Sequence, residues 1–227
     1  MNILNFLNRR LSKKQKIIYN ELISKYNFDE LQKEEIKSGI KKKLNISLYA
    51  NPEFDWKQML EIRVGLEQNL NTSIYANPKF TWSQMFEIRK GLKENLDVNY
   101  YAKPEFSVDQ MQQIRFGLEK NLDVSVYAKP ELNWKQMLVI QNGLKEGLNL
   151  FIYINPEFNH HQMREIFKGL DKRIDVDIYA STEFDCFQME QIRKGLEKGL
   201  DVESYLNPSI DWQEMKRIRL ELRGNRK

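Results

Sequence analysis

A tyrosine recurs every 26 residues, at Tyr49, Tyr75, Tyr101, Tyr127, Tyr153, Tyr179 and Tyr205, without one insertion. Met59, Met85, Met111, Met137, Met163, Met189 and Met215 keep the same interval, as do Ile62, Ile88, Ile114, Ile140, Ile166, Ile192 and Ile218. A fixed period of this length marks a stacked repeat protein. No single unit can bury its apolar face, so each must lean on its neighbours. An earlier, degenerate unit is in register too: Phe28, Asp29, Gln32, Ile36, Gly39, Ile40 and Leu44.

Helix punctuation repeats with the same period. Asp55 and its equivalents Asp29, Thr81, Ser107, Asn133, Asn159, Asp185 and Asp211 all offer a side-chain oxygen to an orphan N–H at a helix start. Gln58 follows three residues later, and a Gln recurs there until Glu214 replaces it. This is the capping-box spacing, and it explains the repeated Gln without any catalytic role. Phe54 and Met59 stand at hydrophobic-staple spacing. The pattern predicts a helix from about Trp56 to Gln68, roughly 20 Å long. Asn69, with Asn95, Asn121, Gly147 and Gly199, fits a left-handed closing residue, and Leu70 the apolar residue after it. Asn71, with Asn45, Asp97, Asp123, Asn149, Asp175 and Asp201, reads as the cap of a short second helix through Tyr75 and Ala76, which Asn77-Pro78 ends.

The expected fold is therefore all-α: a right-stacked α-solenoid of 26-residue short-helix/long-helix repeats with an N-terminal helical cap. Residues 1–27 form the basic cap, in which Ser12 and Gln15 open a helix to about Tyr26. Residues 28–227 form the solenoid, with eight long and seven short helices. Met59, Ile62 and Leu66 share a stripe that should face the short-helix layer. Gly65, Gly91, Gly117, Gly143, Gly169 and Gly195 lie on its flank. Glycine inside a helix costs about 1 kcal/mol against alanine, so its recurrence implies a closely approaching helix. Glu221 takes that place in the last unit.

Composition narrows the function classes. Lys and Arg number 36 against 32 Asp and Glu, which excludes a strongly basic nucleic-acid coat. A single cysteine excludes a disulfide framework and a cysteine-based zinc site. No apolar run is long enough to span a membrane, and Met1–Arg10 lacks a signal-peptide core. A cytoplasmic location is the expectation. The chain has no P-loop, no dinucleotide fingerprint, no His-Glu-x-x-His and no Gly-x-Ser-x-Gly. A non-catalytic protein with no cofactor and no metal is expected. His160 and His161 are neighbours whose side chains should diverge. Cys186 reads as a small core-edge residue rather than a nucleophile.

Two residue sets remain as candidates. The first is apolar. Residues 57, 60 and 64 and their equivalents lie opposite the core stripe and vary between units; Phe86, Phe116 and Leu138 are among them. The segment 150–174 departs most from the pattern, with Phe151 at a polar position, Ile154 for alanine, His160 for tryptophan and Phe167 for arginine. Phe86, Phe116, Leu138, Phe151, Ile154 and Phe167 are the candidate partner-binding residues. The plainer alternative is a repacked joint that bends the stack. The second set is Arg63, Arg89, Arg115, Arg193 and Arg219, one register broken by Gln141 and Phe167. As a ladder it would track phosphates, helped by basic ends: 11 Lys/Arg against 5 Asp/Glu over residues 1–48, and 6 against 3 over 211–227. The structural alternative stacks each arginine on Trp56, Trp82 or Trp212, or pairs it with Glu53-type residues. Residues 49–210 hold 19 Lys/Arg against 24 Asp/Glu, which favours that alternative.

The unit Tyr-Ala-x-Pro-Glu-Phe followed by Gln-Met-x-x-Ile-Arg-x-Gly-Leu resembles short helical repeats in proteins of Firmicute-like bacteria, their phages and mobile elements. The resemblance covers about 49–222. It implies a helical array and, by genomic company, a role in phage–host conflict. The expected function is docking on a protein partner, with occlusion of a host defence complex as one concrete form. Nucleic-acid binding through the arginine ladder is the second reading.

Overall fold

The structure, a computed structural model, describes residues 11–224. These residues form nine α-helices and no strand: α1 (Lys13–Lys25), α2 (Glu30–Lys41), α3 (Trp56–Glu67), α4 (Trp82–Lys93), α5 (Val108–Glu119), α6 (Trp134–Lys145), α7 (His160–Asp171), α8 (Cys186–Leu196) and α9 (Trp212–Gly224). The fold is an all-α, solenoid-like repeat. The chain divides into two compact units, 1–115 and 116–227. In the first, α1 packs on α2, α2 on α3 and α3 on α4. In the second, α6 packs on α7, α7 on α8 and α8 on α9. No described helix is long and apolar enough to cross a membrane.

Helix boundaries follow the punctuation. Ser12, Asp29, Asp55, Thr81, Asn133, Asn159 and Asp185 each form a two-way capping box with the Gln three residues on. At the other end, Leu70 N–H bonds Gly65 C=O and Asn69 N–H bonds Leu66 C=O, the Schellman pattern. Asn69, Asn95, Asn121, Gly147 and Gly199 have positive φ as expected, and so do Lys43 and Arg173. A side chain there is strained unless it is Gly or Asn. Arg173→Gly should therefore raise stability by about 1 kcal/mol, roughly 2–4 °C in a melt. An unchanged or lower midpoint would show that Arg173 is held by other contacts.

The short second helices are smaller than expected. Each is a single 3-10 turn of three residues, such as Thr72–Ile74 or Val98–Tyr100. Asp97, Asp123 and Asp175 accept from the backbone two residues on. Asn45 and Asn71 instead accept from Ser47 and Ser73 hydroxyls. Three residues cannot sustain an α-helical ladder before proline intervenes. The core stripe is also turned. Met59 and Ile62 are fully buried, but Glu61 and Gly65 are buried beside them while Leu66 is half-buried.

Two contacts hold successive repeats together. The capping glutamine also reaches across the joint. Gln58 Nε2 donates to Phe80 C=O at 2.5 Å and Pro78 C=O at 3.2 Å in the next repeat. Gln32, Gln84, Gln136 and Gln188 do the same, and Gln162 bonds Phe184. An amide serves both ends, its oxygen accepting at the cap and its nitrogen donating across the joint, which a carboxylate cannot do. The glycine register answers not to a neighbouring helix but to a tyrosine. The Tyr75 hydroxyl donates to Glu61 C=O at 3.1 Å. A Cβ on Gly65 would lie 1.9 Å from that oxygen. Gly39, Gly91, Gly117, Gly169 and Gly195 face Tyr49, Tyr101, Tyr127, Tyr179 and Tyr205 in the same way, at 1.8–2.1 Å.

Candidate docking surface

The arginine stripe is built into the joints between helices. Arg63 Nε donates to Glu35 at 2.6 Å, Arg89 to Glu61 at 2.7 Å, Arg115 to Glu87 at 2.8 Å and Arg193 to Glu165 at 2.9 Å. Each partner lies 28 residues earlier, on the preceding long helix. Arg219 takes Gln191 in the same way, at 3.2 Å. Arg63 and Arg193 also pair with Glu67 and Glu197, four residues further along the chain. Other groups stand at two of the expected partners: the cation over Trp56 and Trp82 is Lys57, at 5.7 and 5.0 Å, and the Glu53 carboxylate lies beside Asn51. Arg115, Arg193 and Arg219 are buried and Arg63 and Arg89 nearly so. A guanidinium fixed on a carboxylate in this way has little left to offer a phosphate. Arg9, Arg10, Arg226 and Lys227 of the basic ends lie outside the described residues.

The pairing identifies what the breaks in the stripe do. Opposite Phe167, the position 28 residues back is Val139. In the second unit an ionic pair, Glu165–Arg193, and an apolar pair, Val139–Phe167, thus occupy one register. Phe167 is 5% exposed and Val139 6%. This corrects the placing of Phe167 on an open docking patch: it fills the joint between α6 and α7.

The same repeat has lost its tyrosine plug. Leu150 reaches the Gly143 slot instead: a Cβ on Gly143 would lie 2.7 and 3.2 Å from its two δ-methyls and 3.2 Å from the Phe167 ring. Leucine here is one carbon longer than the valine of Val98, Val124, Val176 and Val202, so it fills the place of the tyrosine tip. Tyr153 turns outward, and its hydroxyl donates to Asp177 at 2.5 Å. Burial and the Asp177 carboxylate push its pKa up to about 12. The 3-10 turn starts one residue late, at Phe151–Tyr153. Glu203–Tyr205 is late as well, and both turns carry a large residue, Ile154 or Leu206, where the others have alanine. Only in the first does the chain turn out two large apolar side chains: Phe151 is 67% exposed and Ile152 77%.

The other candidates are more ordinary. Leu138 is 39% exposed, and Phe86, Phe116 and Ile154 are half-buried. Phe86 lies under Lys90, 4.4 Å from its ring centroid, and Phe116 under Lys120 at 5.7 Å. Ile152 and the exposed Phe187, which stacks on Trp212 at 5.7 Å, had no place among the candidates. The His160 and His161 rings do not diverge. Their centroids are 3.9 Å apart, and burial with the charges of His161, Lys135 and Arg164 lowers the His160 pKa. Among the described residues no three His, Cys, Asp or Glu are placed to hold a metal. Cys186 is half-buried and burial raises its thiol pKa, the opposite of an activated nucleophile. No protein-family model matches this chain, and neither does any curated protein or solved structure.

Proposed function

We propose that the chain is a non-catalytic repeat scaffold that docks on a protein partner, and that the rebuilt turn at residues 150–154 is its contact. One observation carries the reading. At the position of Phe151 the other repeats have Ser47, Ser73, Asn99, Ser125, Asp177 and Glu203, all polar. At the position of Ile152, Leu48, Ile74, Val126 and Ile178 are at least half-buried, while Tyr100 is 37% exposed and Ser204 is polar. Two adjacent apolar side chains that face water cost solvation unless something covers them. A rigid frame around them spares the ordering cost of binding. Occlusion of a host defence complex is the form that the repeat resemblance adds.

The test is a pull-down with the tagged full chain, with and without nuclease and across a salt series. A defined protein retained after nuclease and at high salt is the expected result. Partners lost with nuclease, or affinity that falls steeply with salt, would return the arginine and basic-end reading instead.

A further inference from the structure

Two side chains are shaped for the one slot at Gly143. Six of the seven register tyrosines are fully buried, each with its oxygen 1.8–2.1 Å from the point where a Cβ of its glycine would stand. Tyr153 is turned out, yet what its seat needs is still there. Gly143 carries no Cβ, and the acceptor that Tyr49, Tyr75, Tyr101 and Tyr179 find 14 residues back is a main-chain carbonyl. For Tyr153 that residue is Val139, so losing the glutamate side chain does not remove the acceptor. Leu150 blocks the seat instead. In the other repeats a methyl of Ile46, Thr72, Val98, Val124, Val176 or Val202 stands 2.6–3.1 Å from the Cβ point, beside the tyrosine oxygen. Leu150 puts one δ-methyl there, at 2.7 Å, and the other, at 3.2 Å, in the tyrosine's space. A rotamer change withdraws that second methyl. Neither seating satisfies every group. With Leu150 seated, Phe151 and Ile152 face water and Asp177 holds the Tyr153 hydroxyl outside. With a tyrosine seated in a turn that also starts late, at Glu203–Tyr205, the hydroxyl is buried without a hydrogen-bond partner among the described residues. Exposed apolar surface and an unmet buried hydroxyl carry costs of the same order.

We infer that the turn at residues 150–154 is a two-state element, in which Leu150 and Tyr153 exchange at the Gly143 slot. In the second state the turn starts at Leu150, as its equivalents do at Val98, Val124 and Val176. The Tyr153 hydroxyl then reaches Val139 C=O, and Ile152 is drawn in to half-burial, like Ile74 and Ile178. The exchange therefore sets how much apolar surface the turn offers. A partner that contacts Ile152 binds the Leu150-seated state and shifts the population toward it. That last step rests on the protein-docking reading; the exchange itself does not.

The test is fluorine NMR of the full chain labelled with fluorotyrosine. Tyr153→Phe assigns the resonance, a soluble gadolinium chelate broadens it where it is exposed, and saturation transfer detects a minor state. In the wild-type chain Tyr153 should exchange between an exposed, broadened resonance and a protected one. Leu150→Val leaves the place of the second methyl empty and should make the protected resonance dominant. Asp177→Ser removes the outer anchor and installs the residue of Ser73 and Ser125. It should raise the protected fraction by about threefold, the worth of one exposed hydrogen bond. Gly143→Ala puts a methyl in the tyrosine's place and should leave only the exposed resonance. A wild-type chain with no second state, or a Tyr153 that stays exposed in Leu150→Val, would overturn the inference. In a pull-down from nuclease-treated lysate, Leu150→Val should capture less protein than wild type, and Gly143→Ala no less. Equal capture by Leu150→Val with Tyr153 seated would overturn the link to docking while the exchange stands. Capture that depends on Phe151 without any exchange would do the reverse.

Discussion

Arg115→Ala should lower stability by about 3–5 kcal/mol, the cost of leaving one member of a buried ion pair alone. Glu87 and Arg115 have the most buried side chains of the repeat-to-repeat pairs, at 4% and 5% exposure. The alanine removes the guanidinium and leaves the carboxylate with only Lys90, 3.9 Å away. Urea denaturation of the full chain reads the loss directly. The chain itself supplies the compensating experiment, because Val139 and Phe167 occupy the same two positions two repeats further along. Glu87→Val with Arg115→Phe should recover most of the lost stability, since an apolar pair of similar volume often replaces a buried ion pair at little cost. A double variant as unstable as Arg115→Ala would mean that the two positions are not a matched pair.

Gly91→Ala should be the other severe substitution, although alanine is the better helix former by about 1 kcal/mol. The added methyl would lie 2.0 Å from the Tyr101 hydroxyl and 2.9 Å from a Val98 methyl. Tyr101 is fully buried and donates to Glu87 C=O at 3.2 Å, so its ring cannot swing aside without breaking that bond. Overpacking of this kind costs about 1–3 kcal/mol, and loss of the hydrogen bond about 1 more. Tyr101→Phe removes the atom in conflict and leaves the ring carbon 3.2 Å from the new methyl. In a double-mutant cycle the pair should therefore be more stable than Gly91→Ala alone. Strict additivity would show that the glycine serves something other than the tyrosine.

The frame was legible because each of its devices is local. Cap, box and closing residue fall within one helix and its flanks, so one unit of sequence displays them, and repetition confirms them. The joints were harder. Gln58 was readable as a cap but not as a bridge to Phe80, because that bond spans 22 residues. The Arg–Glu pairs span 28, and the signal was present: glutamate stands 28 residues before Arg63, Arg89, Arg115 and Arg193, and valine before Phe167. Comparing registers one column at a time hides a pairing between columns. Phe167 was singled out correctly as a departure, but a position on the helix face does not reveal that its neighbour has lost a carboxylate. The turn at 150–154 was legible in Phe151 and Ile154. The outward Ile152 was not, because it follows from Leu150 displacing Tyr153, a three-dimensional exchange.

The outward Phe151–Ile152 pair is the proposed contact with the partner. The most direct measurement compares capture of a partner by the wild-type chain and by Phe151→Ser with Ile152→Ser, after nuclease treatment, alongside their thermal midpoints. Serine at 151 restores the polar residue of the other turns, serine at 152 removes the outward apolar side chain, and both side chains are mostly exposed. The expected result is an unchanged or higher midpoint and loss of the captured protein. Capture that survives the double substitution in a folded chain would contradict it, and would leave the turn as a repacked joint.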